Sequence, residues 1–176
     1  MKLTVIALAL FLVAPSHALD LAGRALDYGV SELGMAGAYL HVADSDDHLL
    51  EVELRAGRMM GAGMELEIEG TLQRTWDDDG SATSLGATGS FLYNIRTYAS
   101  WVPFFLGGGG LSYERSSFGS QTWSETDAVV QFGLGTRFFF TDSGALRLEY
   151  RFRSRLADPE SINSHRLLAG LSVFLG

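Results

Sequence analysis

The sequence predicts an all-β fold, an eight-stranded antiparallel up-and-down transmembrane β-barrel with a filled polar and charged interior. Three observations carry that expectation. Ala145 to Arg155 alternates Leu146, Leu148, Tyr150 and Phe152 with Arg147, Glu149, Arg151 and Arg153, and a period of two is the mark of a β-strand. Two acidic ladders answer this basic one: Glu51, Glu53 and Arg55 alternate with apolar residues between Leu50 and Gly57, and Glu65, Glu67 and Glu69 do so between Gly63 and Gln73. Finally, every apolar run after residue 18 is broken by glycine or by alternating polar residues, so a membrane location requires a closed barrel rather than helices.

At the N-terminus, Lys2 precedes an apolar run from Leu3 to Ala14, and Pro15, Ser16, His17 and Ala18 follow. Residues 1–18 therefore read as a secretory signal peptide, its apolar run being shorter than the roughly 20 residues of a spanning helix. The mature chain is expected to begin at Leu19. Residues 19–30 are weakly patterned and read as a periplasmic lead-in, and residues 31–176 form the barrel domain.

The strands follow in order. The first is Ser31 to Val42, with Leu33, Met35, Gly37 and Tyr39 on one face and Glu32, Gly34, Ala36 and Ala38 on the other; Ala43 to Asp47 breaks it. His48 to Arg58 is the second, Met59 to Ala62 a tight turn, and Gly63 to Trp76 the third. The solvated run Asp77, Asp78, Asp79, Gly80 leads to the fourth, Thr83 to Ile95, and Arg96 to Ser100 to the fifth, Trp101 to Tyr113. Pro103 sits near the start of that strand, where a missing amide donor does least harm; the facing of this strand is not readable. Glu114 to Thr126, rich in Ser, Gly and Gln, reads as the longest loop. The sixth strand is Asp127 to Phe140, with Arg137 on the face of Gln131, Gly133 and Gly135; a turn at Thr141 to Gly144 leads to the seventh, Ala145 to Arg155. The eighth, Asn163 to Leu175, follows a loop from Leu156 to Ile162. An even count of strands about 9 to 14 residues long suits a membrane barrel.

Charge excludes several function classes. Lys2 is the single lysine, so the mature chain carries 12 arginines against 21 carboxylates, a formal charge of −9; no basic patch for nucleic acid is expected. With no cysteine, disulfides and thiolate metal sites are ruled out. Charges facing lipid cost roughly 2 to 4 kcal/mol for an arginine at mid-bilayer, so Glu51, Glu53, Arg55, Glu65, Glu67, Glu69, Arg147, Glu149, Arg151 and Arg153 are expected to meet inside as a salt-bridged plug, Arg151 reaching across to Glu67, with Glu65 and Glu69 as alternatives. Inward glycines and alanines on strands one, five and six leave space for them. Paired carboxylates also serve glycosidases, but a filled lumen admits no substrate.

Other clusters have plainer readings. Asp44, Asp46, Asp47, Asp77, Asp78 and Asp79 offer oxygen ligands for divalent cations yet lack calcium-loop spacing, and read as solvated loop acids. His41, His48 and His165 lie near loop ends, as interface residues. Met35, Met59, Met60 and Met64 fit lipid-facing or turn positions. The tryptophans and tyrosines cluster toward strand ends, as interfacial girdles do.

From Val102-Pro-Phe-Phe-Leu-Gly-Gly-Gly-Gly-Leu-Ser-Tyr113 and the closing His165-Arg-Leu-Leu-Ala-Gly-Leu-Ser-Val-Phe-Leu175, the mature chain resembles the eight-stranded outer-membrane β-barrels of the OmpA-like and OmpX-like family. That resemblance implies insertion in the outer membrane of a Gram-negative bacterium, among lipid and lipopolysaccharide, as a monomer without cofactor. It also implies an assembly signal in the row Leu167, Ala169, Leu171, Val173 and Leu175, read by the barrel-assembly machinery, although the chain departs from the usual terminal Phe or Trp. The expected role is non-enzymatic, in envelope structure or surface interaction. The alternatives are a lipid A-modifying enzyme of the deacylase kind, for which Ser164 and His165 are the nearest residues, and a narrow pore. Neighbours on a strand point to opposite faces, which separates that Ser from that His.

Overall fold

The computed structural model describes residues 25–41, 48–76, 80–97, 100–118, 121–157 and 161–176, without the side chains of 39–41 and 118. The strands are β1 (Ser31–His41), β2 (His48–Gly61), β3 (Met64–Trp76), β4 (Gly80–Asn94), β5 (Trp101–Phe118), β6 (Gln121–Thr141), β7 (Gly144–Leu156) and β8 (Ile162–Leu175). Each pairs antiparallel with the next, and β8 returns to β1 to close the barrel. Closure removes the unpaired edges that an open sheet presents.

Period-two patterning decides which face is which. Along β2 and β3 buried and exposed positions alternate strictly, with the glutamates inside and Leu50, Leu54, Leu66, Ile68 and Leu72 outside. The remaining strands add Leu33, Met35, Leu85, Phe91, Phe105, Phe132, Leu134 and Phe140 to the exposed outer face. This inside-out distribution suits lipid around the barrel and charge within it.

The ends of the barrel differ. The first described residues and the C-terminus lie at one end together with tight turns, among them that at Gly61, Ala62 and Gly63, where φ is 89°, 53° and 82°. Glycine is required at 63, since a Cβ there would stand 2.4 Å from the carbonyl oxygen of Asn94. An apolar cluster of Ala25, Leu26, Met59, Val102, Phe139, Ala145 and Phe174 closes this end. Arg96 ties the lead-in down by donating to the Leu26 carbonyl at 2.5 Å and approaching Asp27 at 3.6 Å.

Several expectations are corrected. β2 runs on to Gly61, through most of the turn placed at Met59 to Ala62. Met59 is buried in the closing cluster rather than standing in a turn, because the alternation of β2 runs on and puts it on the inward face with Glu51, Glu53 and Arg55. The segment Glu114 to Thr126 is not a long loop: β5 continues to Phe118 and β6 starts at Gln121. Its polar residues occupy both faces of a hairpin that outruns β7, whose pairing with β6 ends at Ala128 opposite Leu156. β4 starts earlier than expected, at Gly80. Within the lead-in, Ala25 and Leu26 pack into the apolar cluster at the barrel mouth. The signal peptide, the first part of the lead-in and the aspartates at 44, 46, 47 and 77–79 lie outside the described residues.

Candidate functional site

The barrel interior concentrates the chain's charge. Among the described residues seven glutamates (Glu32, Glu51, Glu53, Glu65, Glu67, Glu69, Glu149) and five arginines (Arg55, Arg137, Arg147, Arg151, Arg153) are buried. β-strand geometry delivers them: Glu65, Glu67 and Glu69 step up one wall on β3, and Arg147, Glu149, Arg151 and Arg153 step up the facing wall on β7. The ion pairs cross between these walls in tiers.

In the tier next to the closed end, Arg137 of β6 donates to Glu32 of β1 at 2.6 Å and to Glu65 at 2.9 Å, and also to the side-chain oxygen of Asn94. Ser172 donates to the other oxygen of Glu32 at 2.5 Å. Arg147 forms the next tier, with Glu67 at 2.6 Å and Glu149 at 2.8 Å. Phe104 lies between the two guanidinium groups, its ring centre 4.8 Å from Arg137 and 4.5 Å from Arg147, so an aromatic face supports both cations. Gly135 makes room for that ring, since a Cβ there would stand 2.5 Å from it.

Above this, Arg151 joins Glu69 at 2.5 Å and Glu53 at 3.0 Å and also bonds Glu149. Arg55 lies 3.3 Å from Glu53 and 3.5 Å from Glu149. Hydroxyls complete the shell: Thr71 and Thr88 each donate to Glu69 at 3.2 Å, and Gln131 donates to Thr88 and Ser90. At the other end of the lumen Arg166 of β8 holds Glu51 at 2.5 Å and Gln73 at 2.9 Å, while Arg155 meets Glu114 and, at 3.3 Å, Asp127.

Of the partners offered for Arg151, the one it meets is the alternative Glu69, one tier above Glu67, whose own partner is Arg147. Arg153 faces the same interior but makes no ion pair among the described residues; its Nη2 packs beside Gly86 without a hydrogen-bond partner. Glu51 belongs instead to Arg166. Glu32, Arg137 and Arg166 complete the network and were not in the sequence-derived set. Their place on the inward-facing positions of β1, β6 and β8 was the available signal.

Such a lattice constrains what the site can do. Every buried glutamate has at least one oxygen engaged by an arginine, so none stands as a free general base. Glu32, Glu65 and Glu67 bring ligand atoms within 4.8 Å of one another, but each of the three already has an arginine on one of its oxygens. Buried ion pairs lose hydration that mutual attraction only partly restores, while breaking one is costly because the orphaned charge stays buried. The network thus fixes one arrangement of the wall strands. His165 and Ser164 point to opposite faces: the hydroxyl of Tyr150 bonds Nδ1 of His165 at 2.6 Å on the outer side, whereas Ser164 donates to the Arg153 carbonyl. Leu167, Ala169, Leu171, Val173 and Leu175 form an exposed outer row, and Phe174 turns inward against Phe139, ring centres 5.0 Å apart.

The chain matches the family model of the outer membrane protein beta-barrel domain over residues 4–173. Similar solved structures include neisserial surface protein A, at 15% identity and a TM-score of 0.64, covering 82% of this chain and 95% of that one. The N-terminal β-barrel of Pseudomonas aeruginosa OprF, at 15% identity and a TM-score of 0.56, covers 84% and 98% respectively. The attachment invasion locus protein Ail of Yersinia pestis, at 14% identity and a TM-score of 0.54, covers 84% and 99%. No curated protein matches the chain.

Proposed function

Since the chain belongs to the outer membrane protein beta-barrel family, and so to the outer membrane of a Gram-negative bacterium, we propose that it is a non-enzymatic barrel acting in surface interaction. The observation that carries this reading is the contrast between a plugged lumen and a projecting hairpin. Charge pairs fill the interior and an apolar cluster closes one mouth, which argues against a pore and an internal active site. Residues 121–127 of β6 pair with β5 but, among the described residues, have no partner on the β7 side. Trp123 within that stretch is exposed. With the termini and tight turns in the periplasm, this hairpin stands outside the cell, and backbone groups along a free strand edge are the kind of surface that an extended partner segment can join.

Insertion by the barrel-assembly machinery and a monomeric state belong to the same reading, supported by the outward apolar row of β8. The test compares cells with the wild-type protein, without it, and with the hairpin shortened by removing 115–124. Mass spectra of lipid A are expected to be identical in all three, while attachment to surfaces or resistance to envelope stress falls with the shortened hairpin as much as with the deletion. Altered lipid A acylation that follows the protein would reverse the conclusion in favour of the enzyme.

A further inference from the structure

Arg74 on β3, Thr83 on β4 and Arg115 on β5 are direct cross-strand neighbours: Arg74 pairs with Thr83, and Thr83 with Arg115. All three are at outward positions of their strands, and both arginines are exposed. Two strand spacings separate the arginine backbones, about 10 Å, so two long side chains can converge on one group above Thr83. Neither guanidinium has an ion pair or hydrogen bond among the described residues. That sets them apart from Arg137, Arg147, Arg151 and Arg166, which hold glutamates in the lumen, and from Arg96, which is held by Asp27 and the Leu26 carbonyl.

The depth of the row adds the second constraint. From Met64 to Arg74 is ten residues, about 33 Å along a strand and about 25 Å along the barrel normal at the usual tilt, equal to the height of an outer-membrane apolar band. Met64, Leu66, Ile68 and Leu72 fill that interval on β3 with exposed apolar side chains. Arg74 therefore stands where acyl chains end and headgroups begin. Beside it, the rings of His48 and Trp76 stack at 5.3 Å and an interplanar angle of 16°, and Tyr113 lies below Arg115 on the same face. Asp77, Asp78 and Asp79 follow in sequence beyond the row, outside the described residues.

We propose that Arg74, Thr83 and Arg115 form an exterior docking site for the phosphate group of an outer-leaflet glycolipid. Two guanidinium forks supply the planar, charge-assisted donors that match phosphate oxygens, the threonine hydroxyl supplies a third donor between them, and the apolar residues beneath receive the acyl chains. The assignment rests on the orientation adopted above, with the β3–β4 connection outside the cell.

The purified protein in detergent micelles is mixed with equal amounts of bisphosphorylated lipid A and the same lipid dephosphorylated, and the lipid retained on the folded barrel is read by native mass spectrometry. Wild type is expected to retain the phosphorylated form in about tenfold excess, Arg74→Gln and Arg115→Gln each to lose most of that preference, and the double variant all of it. Arg58→Gln, an exposed arginine at the opposite end of the barrel, keeps it. Heat-modifiable migration on gels verifies that each variant is folded. Equal retention of the two lipids by wild type, or a loss in Arg58→Gln matching that of the double variant, overturns the site. Orientation is read separately, by labelling Ser124→Cys in this cysteine-free chain with a membrane-impermeant maleimide on intact cells, so that an inverted barrel and an absent site give different results.

Discussion

Replacing Arg151 with alanine takes one partner from each of three carboxylates at once. Its guanidinium binds Glu69 at 2.5 Å and Glu53 at 3.0 Å and also bonds Glu149, all buried. Removal of one partner from a buried pair typically costs about 3 to 5 kcal/mol, most of it the penalty of an uncompensated charge. Glu53 and Glu149 retain Arg55 within 3.5 Å, and Glu149 also keeps Arg147. Among the described residues, Glu69 keeps the hydroxyls of Thr71 and Thr88 but no second arginine. The orphan created by the substitution is therefore mainly Glu69. Arg151→Ala is expected to cost about 3 kcal/mol or more, and adding Glu69→Gln to recover about 1 to 3 kcal/mol of it. Glu67→Gln, whose arginine is Arg147, meets Arg151 only through Arg147 and Glu149 and should couple to Arg151→Ala more weakly than Glu69→Gln does. Urea-induced unfolding in lipid vesicles gives the four free energies of each cycle. Equal coupling to Glu67 and Glu69, or strict additivity with both, would show that the tiers are not paired as described.

Three further predictions concern the shell of the network and the wall. Phe104→Ala removes the ring shared by Arg137 and Arg147 and should cost about 3 to 5 kcal/mol in the same unfolding assay; a loss under 1 kcal/mol would mean that the ring does not support the cations. Gly135→Val drives a side chain into that ring, with a Cβ only 2.5 Å away, and should cost about 1 to 3 kcal/mol by overpacking, partly relieved by Phe104→Leu; the absence of any relief would locate the clash elsewhere. Leu171→Asp places a carboxylate on the exposed outer row of β8 and should cost about 1 to 3 kcal/mol, depending on depth, with a fall in the amount of folded protein recovered from outer membranes. Undiminished recovery would count against a lipid-facing position for Leu171.

How far the sequence could be read depended on which side chains marked the period. On β2, β3 and β7 three or more charges recur at every second position, so strand, facing and lumen were all legible from Glu51, Glu65, Arg147 and their neighbours. On β1, and along residues 129–139 of β6, a lone inward charge stands among uncharged residues, Glu32 with Gly34 and Ala36, Arg137 with Gly133 and Gly135, while Asp127 of β6 lies ten residues away toward the far end of the lumen. A single charge defines no period, and these two escaped the network. β5 has apolar residues on both faces, Val102, Phe104 and Leu106 inward and Trp101 and Phe105 outward, so alternation of polarity could not orient it. The hairpin around residues 114 to 126 failed for the opposite reason: beyond the lipid both faces meet water, and polar residues on both faces, broken only by Phe118, Gly119 and Trp123, read as a loop. Pairing partners were out of reach because register depends on turns and bulges, such as the shifts at Met59 and Phe139.

A plugged barrel makes its most direct statement in a planar bilayer. With Arg137, Arg147 and Arg151 each bonded to glutamates across the lumen, and Leu26, Met59 and Phe174 packed at one mouth, wild-type protein inserted in the bilayer should pass no measurable ionic current at either polarity. Steady ohmic conductance from folded wild-type barrels would contradict the filled interior, and with it the case for a protein that acts through its outer surface.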